Sequence, residues 1–120
     1  FETVGKTIVL EESRIDALST ISGSGPAYVF YLIEQLTLAA KHHGFNDQDA
    51  ALLVNETFLG ASELLAASGK TPEALRKQVT SPNGTTERAI ARMGETDLEA
   101  MFVEATDAAL ARARELAAGK

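Results

Sequence analysis

A short run of hydroxyl-bearing residues around a single glycine has the composition of an anion-binding turn. The run is SPNGTT at positions 81–86, and a helix-forming segment follows it directly. Backbone N–H groups and the positive end of the helix dipole at such a junction bind carboxylate or phosphate groups. The residues therefore predict an anion-binding turn, with an ordinary capped turn as the structural alternative.

Positive charge concentrates around this run, although the whole chain is acidic. The 120 residues carry a net charge of -6. The segment 76–92 nevertheless holds four cations against the single anion Glu87, the cations being Arg76, Lys77, Arg88 and Arg92. An acidic chain is not typical of nucleic-acid-binding proteins, because neutralising phosphates needs a surplus of Lys and Arg. The local charge is consistent with a carboxylate or phosphate at the turn.

A second glycine-bearing segment, SGSGP at positions 22–26, precedes a long apolar stretch. Its glycine spacing begins like a dinucleotide-binding fingerprint, which would require glycine or alanine at position 28 and a strand before it. Position 28 is Tyr28, and a helical pattern precedes the segment. The spacing therefore excludes that fingerprint and predicts a tight elbow between two helices. We call residues 22–26 the elbow.

Other chemistry-bearing residues favour structural interpretations. The chain has no cysteine, so thiolate catalysis, disulfides and cysteine zinc sites are excluded. His42 and His43 are adjacent, and neighbouring side chains on a helix point about 100° apart. They therefore predict a solvated helix end rather than a metal site. The carboxylates of the last helix predict a solvated face, these being Glu99, Glu104, Asp107 and Glu115.

Composition and periodicity predict an all-α fold. Alanine and leucine are about three times as frequent as valine and isoleucine together, which favours helix over sheet. The segment Phe1–Leu10 is the one strand-like stretch. Caps and apolar periods predict about six helices, over 12–21, 26–43, 46–68, 71–79, 86–93 and from 96 to near the end. The expected N-caps of the first, third and fourth helices are Ser13, Asn46 and Thr71, and glycines close the second and third helices at Gly44 and Gly69.

The same composition limits the class of protein. Apolar residues make up 45% and charged residues 23%, as in soluble globular domains. No apolar run reaches 18 residues without a charge, so we expect no membrane span. We find no signal segment and expect a cytoplasmic location. The chain opens without a methionine, as a piece cut from a longer protein would.

Three blocks of this sequence resemble a known family. SGSGPAY at 22–28, the helix start Thr71-Pro72 and above all VTSPNGTTERAI at 79–90 resemble the C-terminal domain of pyrroline-5-carboxylate reductase. The resemblance runs over nearly the whole chain. It implies reduction of 1-pyrroline-5-carboxylate to L-proline with NADPH or NADH, in proline biosynthesis.

The resemblance also implies an architecture. Members of the pyrroline-5-carboxylate reductase family have a Rossmann domain followed by a helical domain of the 6-phosphogluconate-dehydrogenase C-terminal type, through which two subunits interlock. Residues 1–10 would then be the remnant of the Rossmann domain or the connection to it. Residues 11–120 would form the helical dimerisation and substrate-binding domain, and the cofactor would be bound mainly by the absent part.

Site residues follow from the resemblance position by position. The substrate-binding residues would be Ser81, Asn83, Gly84, Thr85 and Thr86. The hydroxyl of Thr86 would face the ring nitrogen of the imine, as the catalytic group. The cofactor-facing residues at the nicotinamide end would be Ser22, Gly25 and Pro26.

Two positions depart from the family pattern. Many relatives have glycine where this chain has Asn83, and some have an acidic residue where it has Gly69. Asparagine tolerates the left-handed backbone region better than most residues, so we expect the turn to be kept. A substrate contact from position 69 is not expected here.

Two other functions remain open at this stage. One is the helical domain of another NAD(P)-dependent dehydrogenase, whose catalytic lysine would lie on a helix, with Lys41, Lys70 and Lys77 as candidates. The other is a non-enzymatic helical dimerisation module.

Either way, residues 27–33 are all apolar. A helix that is apolar on all sides belongs in an interior, so the sequence predicts a homodimer.

Overall fold

The computed structural model describes residues 6–119, and these are almost entirely helical. The helices are α1 (Ile15–Leu18), α2 (Gly25–His42), α3 (Asp47–Ser68), α4 (Pro72–Gln78), α5 (Thr85–Gly94) and α6 (Leu98–Ala117). There is no strand among the described residues. The all-α prediction is confirmed. Among the described residues, the five helices α2 to α6 are longer than a single turn, and α1 has four residues. This number is close to the six helices expected.

The N-terminal helical segment differs in detail from the prediction. It passes from a 3₁₀ turn (Glu12–Arg14) through α1 into a π-helical turn (Ser19–Gly23). Its N-cap is Glu11, with no side-chain cap hydrogen bond, so Ser13 is not the cap that the sequence predicted. The cap prediction was wrong because the chain is already helical at Glu12. We call Ser19–Gly23 the π-turn.

The strand-like stretch does not form a strand where the structure describes it. Residues 6–11 have no regular secondary structure, and residues 1–5 of the predicted stretch lie outside the described residues. A single strand has no hydrogen-bonding partner in an otherwise helical chain, and β propensity alone does not stabilise it.

The caps that the sequence predicted elsewhere are confirmed. The side chain of Asn46 accepts a hydrogen bond from the Asp49 N–H at 2.9 Å. The Thr71 hydroxyl accepts one from the Ala74 N–H at 3.2 Å. Gly44 follows α2 with φ +95° and Gly69 follows α3 with φ +66°, which are left-handed conformations that favour glycine. Local side-chain chemistry therefore sets these helix ends.

The chain divides into two compact units. One comprises the described parts of Phe1–Tyr28 and Glu99–Lys120, and the other is Val29–Leu98. The elbow belongs to the first unit, and the run at 81–86 belongs to the second.

Few side chains of the described residues are buried. The buried apolar residues are Ala50, Val54 and Leu75, all in the second unit, and Thr20 is buried in the first. On α2, Phe30 and Tyr31 are 67% and 61% exposed. Exposed apolar side chains in contiguous patches mark surfaces that another molecule covers. The sequence predicted apolar side chains on all sides of this helix, and some of them are exposed in the single chain.

One helix of the described residues, α3, is long and apolar enough to cross a membrane by length and composition. Core helices of soluble proteins meet the same criteria. Glu56 and Glu63 lie inside this helix and are exposed. A carboxylate at the centre of a bilayer costs about 2.5–3.5 kcal/mol. The expectation that nothing spans a membrane rests on these charges and stays a prediction.

Candidate functional site

The run at 81–86, which we call the anion turn, folds as a tight turn that leads directly into α5. The Gly84 N–H donates to the Ser81 carbonyl at 3.0 Å, which closes a four-residue turn. Pro82 is its second residue, and Asn83 is its third, with φ +60°. Proline followed by a left-handed residue is the pattern of a type II turn. The expectation that asparagine keeps this turn is confirmed.

Gly84 is required here because of a close approach rather than its backbone angle. Its φ is −83°, which any residue adopts. A Cβ at this position would lie 3.0 Å from the Ser81 carbonyl oxygen and 3.5 Å from the Ser81 Cβ. A contact of 3.0 Å is tighter than nine in ten of the contacts that real Cβ atoms make. A side chain at position 84 would therefore require the Ser81 carbonyl to shift by a few tenths of an ångström.

The N-terminus of α5 presents hydrogen-bond donors to solvent. The helix begins at Thr85, and its N-cap Gly84 has no side chain to accept from the first amides. Amides in a first helical turn have no carbonyl partner in their own helix. Within the described part of the chain, no hydrogen bond is made by the hydroxyls of Ser81, Thr85 and Thr86, and all three residues are exposed.

Glu87 already uses one donor of the turn. Its Oε2 accepts a hydrogen bond from the Asn83 N–H at 2.7 Å. In the sequence, Glu87 was evident only as a negative charge. The signal that could have identified this contact is its position, because a glutamate at the third residue of a helix commonly reaches back to amides before the helix. The contact holds the left-handed residue and leaves the Thr85 and Thr86 amides open.

The positive charge around the anion turn is partly neutralised. Lys77 Nζ lies 2.6 Å from Glu73 Oε1, and Arg92 pairs with Glu95. For Arg76 and Arg88, the described residues show no acidic partner. These two arginines therefore supply most of the uncompensated positive charge near the turn.

The candidate lysines of the dehydrogenase alternative have polar partners. Lys41 Nζ lies 2.7 Å from Asp47 Oδ1. Lys70 Nζ donates to Gln78 Oε1 at 2.8 Å, and Lys77 pairs with Glu73 as above. Such exposed pairs add little to stability. Nothing in their surroundings distinguishes one of these lysines as a catalytic group.

The sequence predicted a tight elbow between two helices, whereas the structure shows a transition within a helical path. The Ser24 N–H donates to the Ser19 carbonyl at 2.9 Å, a bond of π-helical spacing. The Ser22 hydroxyl donates to the Leu18 carbonyl at 3.2 Å. Helix α2 begins at Gly25, so Pro26 lies in its first turn, as predicted. Neither glycine of the elbow has a positive φ.

The two elbow glycines differ in the space around them. A Cβ at Gly23 would lie 3.1 Å from Ser19 Oγ, whereas a Cβ at Gly25 would meet nothing within 4 Å. The elbow contains no cation. Its exposed backbone and the Ser22 side chain therefore fit an uncharged planar group better than a phosphate.

A hydrogen-bond network behind the elbow was not predicted from the sequence. The Tyr28 hydroxyl donates to the Thr20 carbonyl at 2.9 Å. The buried Thr20 hydroxyl donates in turn to the Ala17 carbonyl at 2.8 Å. These contacts join the first turn of α2 to the π-turn and to α1. No sequence period indicates them, because the two partners are eight residues apart across a helical irregularity.

The histidine pair is arranged edge to face at the end of α2. The ring centroids of His42 and His43 are 5.3 Å apart, and the rings are inclined by 71°. Both residues are exposed. Both lie at the C-terminal end of α2, where cations complement the helix dipole.

Comparison with known proteins identifies relatives over nearly the whole chain. Residues 12–116 match the family model for pyrroline-5-carboxylate reductase dimerisation. The chain is 38% identical over 115 residues to pyrroline-5-carboxylate reductase 2 of Bacillus subtilis (strain 168), which covers 96% of this chain and 41% of that relative.

Solved structures give the same picture. A pyrroline-5-carboxylate reductase from Coxiella burnetii matches with a TM-score of 0.90 and 41% identity, over 94% of this chain and 42% of that chain. A Plasmodium falciparum pyrroline carboxylate reductase with NADP bound matches with a TM-score of 0.83 and 28% identity, over 93% of this chain and 43% of that one. The chain thus spans about two fifths of the length of these relatives.

Proposed function

The chain belongs to the pyrroline-5-carboxylate reductase dimerisation family, and from that premise we propose that it is the helical part of an enzyme that reduces 1-pyrroline-5-carboxylate to L-proline. The observation that carries the proposal is the open set of donors at the anion turn, in a segment of local positive charge. A small cyclic imine with one carboxylate is a ligand of matching size and charge.

The anion turn binds the substrate carboxylate in this proposal. The free amides of Thr85 and Thr86 point along the positive end of α5, and the Ser81 hydroxyl is available beside them. Hydrogen bonds from such donors to a carboxylate are stronger than bonds between neutral groups. Asn83 and Gly84 shape the turn, and Arg76 and Arg88 add a favourable field.

The remaining work of these residues is orientation. A nicotinamide nucleotide supplies the hydride when it is bound. The anion turn has no imidazole, amine or thiol, so it is not built around a strong general acid. The imine can arrive protonated, and the Thr86 hydroxyl then faces the ring nitrogen and fixes the ring. Holding a reactant in its reactive geometry is a large source of catalysis.

The elbow faces the nicotinamide end of the nucleotide in the same proposal. Ser22, Gly25 and Pro26 offer an open backbone with no charge. An uncharged surface of this kind fits the nicotinamide ring with its carboxamide, and it does not fit the pyrophosphate. The phosphates would be bound by other parts of the full-length enzyme. Both NADPH and NADH remain candidates, since the elbow has no residue that would recognise a 2′-phosphate.

The function is tested with the full-length protein that contains this chain. We expect oxidation of NADPH or NADH that depends on 1-pyrroline-5-carboxylate, and no activity from residues 1–120 alone. Replacing the substrate by 1-pyrroline, which lacks the carboxylate, should lower kcat/KM by about 100-fold, as two charged hydrogen bonds would. Equal rates with both imines, or activity of the isolated chain, would contradict the proposal.

We further propose that the chain forms a homodimer through its exposed apolar helices. The exposure of Phe30 and Tyr31 on α2, and of Leu52 at 60% and Leu59 at 52% on α3, leaves more apolar surface than a soluble monomer tolerates. A second copy would cover it. Obligate interfaces of this kind bury more than about 2,000 Å².

Light scattering and thermal melting test the dimer. The isolated chain should have twice the single-chain mass of 12.7 kDa. Its Tm should rise with protein concentration, because unfolding is then coupled to dissociation. A folded species of single-chain mass at micromolar concentration would show that the apolar helices do not need a second copy.

A further inference from the structure

The π-turn before α2 is an irregularity held by side chains. A π-turn holds one more residue per hydrogen-bonded ring than an α-helix, and such turns are frequent at functional sites. Here it closes through the Ser24 N–H and the Ser19 carbonyl at 2.9 Å. Left to backbone energetics alone, the segment would favour the commoner α-helical spacing.

Tyr28 supplies a bond from outside the π-turn. Its hydroxyl donates to the Thr20 carbonyl at 2.9 Å, eight residues back in the chain. Thr20 is 5% exposed, so the bond ends at a buried part of the turn. Tyr28 is itself half-buried and lines an apolar groove of about 410 Å³ together with Ile21 and Phe102. A hydrogen bond in apolar surroundings is stronger than one in water.

The bond between Tyr28 and Thr20 spans the elbow. The elbow lies between the two bonded residues, with Ser22 and Gly25 on the short path from Thr20 to Tyr28. If the turn relaxed by one residue to α-helical spacing, the groups after it would rotate by about 100° about the helix axis. The open backbone at Gly25 would then face another direction, and Ser22, which lies inside the π-turn, would lose its present place in the turn.

We propose that Tyr28 is a positioning residue for the nicotinamide end of the bound nucleotide. Its hydroxyl holds the π-turn, and the π-turn holds Ser22 and Gly25 toward the nicotinamide. The inference rests on the proposed function, in which the elbow takes the uncharged end of the cofactor. It adds a residue that does not itself touch the cofactor.

The test compares two ligands in the full-length protein. NADPH carries the nicotinamide, and 2′-phospho-ADP-ribose is the same molecule without it; NADH and ADP-ribose serve if the protein prefers them. The variant is Tyr28→Phe, which removes only the hydroxyl. Tyr31→Phe is the matched control, because it removes the same hydroxyl one turn later on α2, on the surface proposed for the dimer, and this hydroxyl makes no hydrogen bond in the described residues.

We expect Tyr28→Phe to weaken NADPH binding by about five- to tenfold, the effect of one lost hydrogen bond. Binding of 2′-phospho-ADP-ribose should stay within about twofold, and Tyr31→Phe should change neither. Equal weakening of both ligands would show a general structural role and overturn the inference. Unchanged NADPH binding would overturn it as well.

The same titrations separate this inference from the proposed function. A wild-type protein that binds NADPH without reducing 1-pyrroline-5-carboxylate would refute the proposed reaction, while the two-ligand comparison would still decide the role of Tyr28. A wild-type protein that binds neither ligand would overturn both.

Discussion

The elbow and the anion turn use their hydrogen-bonding groups in opposite ways. Around the elbow, the hydroxyls of Thr20, Ser22 and Tyr28 all donate to backbone carbonyls of the same unit. In the anion turn, the hydroxyls of Ser81 and Thr86 have no partner within the described residues. The hydroxyls around the elbow are therefore already hydrogen-bonded within the chain, and the elbow offers a ligand mainly its shape. The anion turn has hydrogen-bond donors without partners in the described residues, and it offers these donors to a ligand.

This difference separates two kinds of serine- and glycine-containing segments that sequence composition does not distinguish. It also predicts different consequences of substitution. Changes in the anion turn should alter the kinetics with the imine and have little effect on stability, whereas changes behind the elbow should alter stability or cofactor binding and leave the KM for the imine unchanged. Four sets of substitutions in the full-length enzyme examine this contrast, and their expected effects decrease in the order given.

The largest effect is expected for Gly84→Ala. The new Cβ would lie 3.0 Å from the Ser81 carbonyl oxygen, so this carbonyl must shift by a few tenths of an ångström and the donors of the turn shift with it. We expect kcat/KM for the imine to fall by about 100-fold or more, because small misplacements in a site have effects of that size. Steady-state kinetics measure this. Gly94→Ala is the control, since its Cβ would meet nothing within 4 Å, and a similar loss there would refute the explanation.

Ser81→Ala and Thr86→Ala should each lower kcat/KM by about 10- to 100-fold, since each removes one hydrogen bond of about 1–3 kcal/mol to the substrate. The Tm should hardly change, because both hydroxyls lack partners within the described residues. Kinetics within about twofold of wild type for both variants would show that the run is an ordinary turn. Ser13→Ala is the control, because Ser13 is exposed and lies far from the anion turn in the sequence.

Glu87 provides a smaller and more specific test. Glu87→Ala removes the acceptor of the Asn83 N–H, so the turn loses its tether and the KM for the imine should rise by about three- to tenfold. Glu87→Gln keeps an acceptor oxygen at the same place and removes a negative charge near the substrate carboxylate. Its KM should equal or fall below the wild-type value. A higher KM for the glutamine variant than for the alanine variant would contradict the tether.

The smallest effect is expected behind the elbow. Thr20→Val keeps the shape of the buried side chain and removes its bond to the Ala17 carbonyl. The free energy of unfolding should fall by about 1 kcal/mol, measured by thermal or denaturant unfolding. The KM for the imine should not change. A kinetic loss without loss of stability would erase the contrast between the two segments.

Local signals in the sequence were sufficient for much of this structure. Helix ends at Asn46, Gly69 and Thr71 were predictable because each depends on one side chain or one glycine and its immediate neighbours. The left-handed Asn83 was predictable for the same reason. The placement of the anion turn before a helix also followed from its own residues, although the helix begins at Thr85, one residue earlier than expected.

What the sequence did not reveal depends on contacts between turns. The bond between Tyr28 and Thr20 connects α2 to the π-turn, and no periodic pattern encodes a bond between a side chain and a carbonyl eight residues away. The predicted strand near Ile8 reflected β-branched residues, but strand formation needs a partner that the described residues do not provide. The Ser13 cap was wrong because its neighbours were already helical.

The Asn83-Gly84 pair also carries a consequence for the chemical ageing of the protein. An asparagine carboxamide followed by glycine is prone to cyclise when the glycine nitrogen attacks it and ammonia leaves, and hydrolysis of the ring then yields aspartate or isoaspartate. In this structure the Gly84 N–H is held by the Ser81 carbonyl at 3.0 Å, which keeps the attacking nitrogen occupied. The turn that gathers donors for a carboxylate thus also protects itself from acquiring a carboxylate of its own. Peptide mass spectrometry of stored protein would record the loss of that protection, as a new negative charge in the place where an anionic substrate must bind.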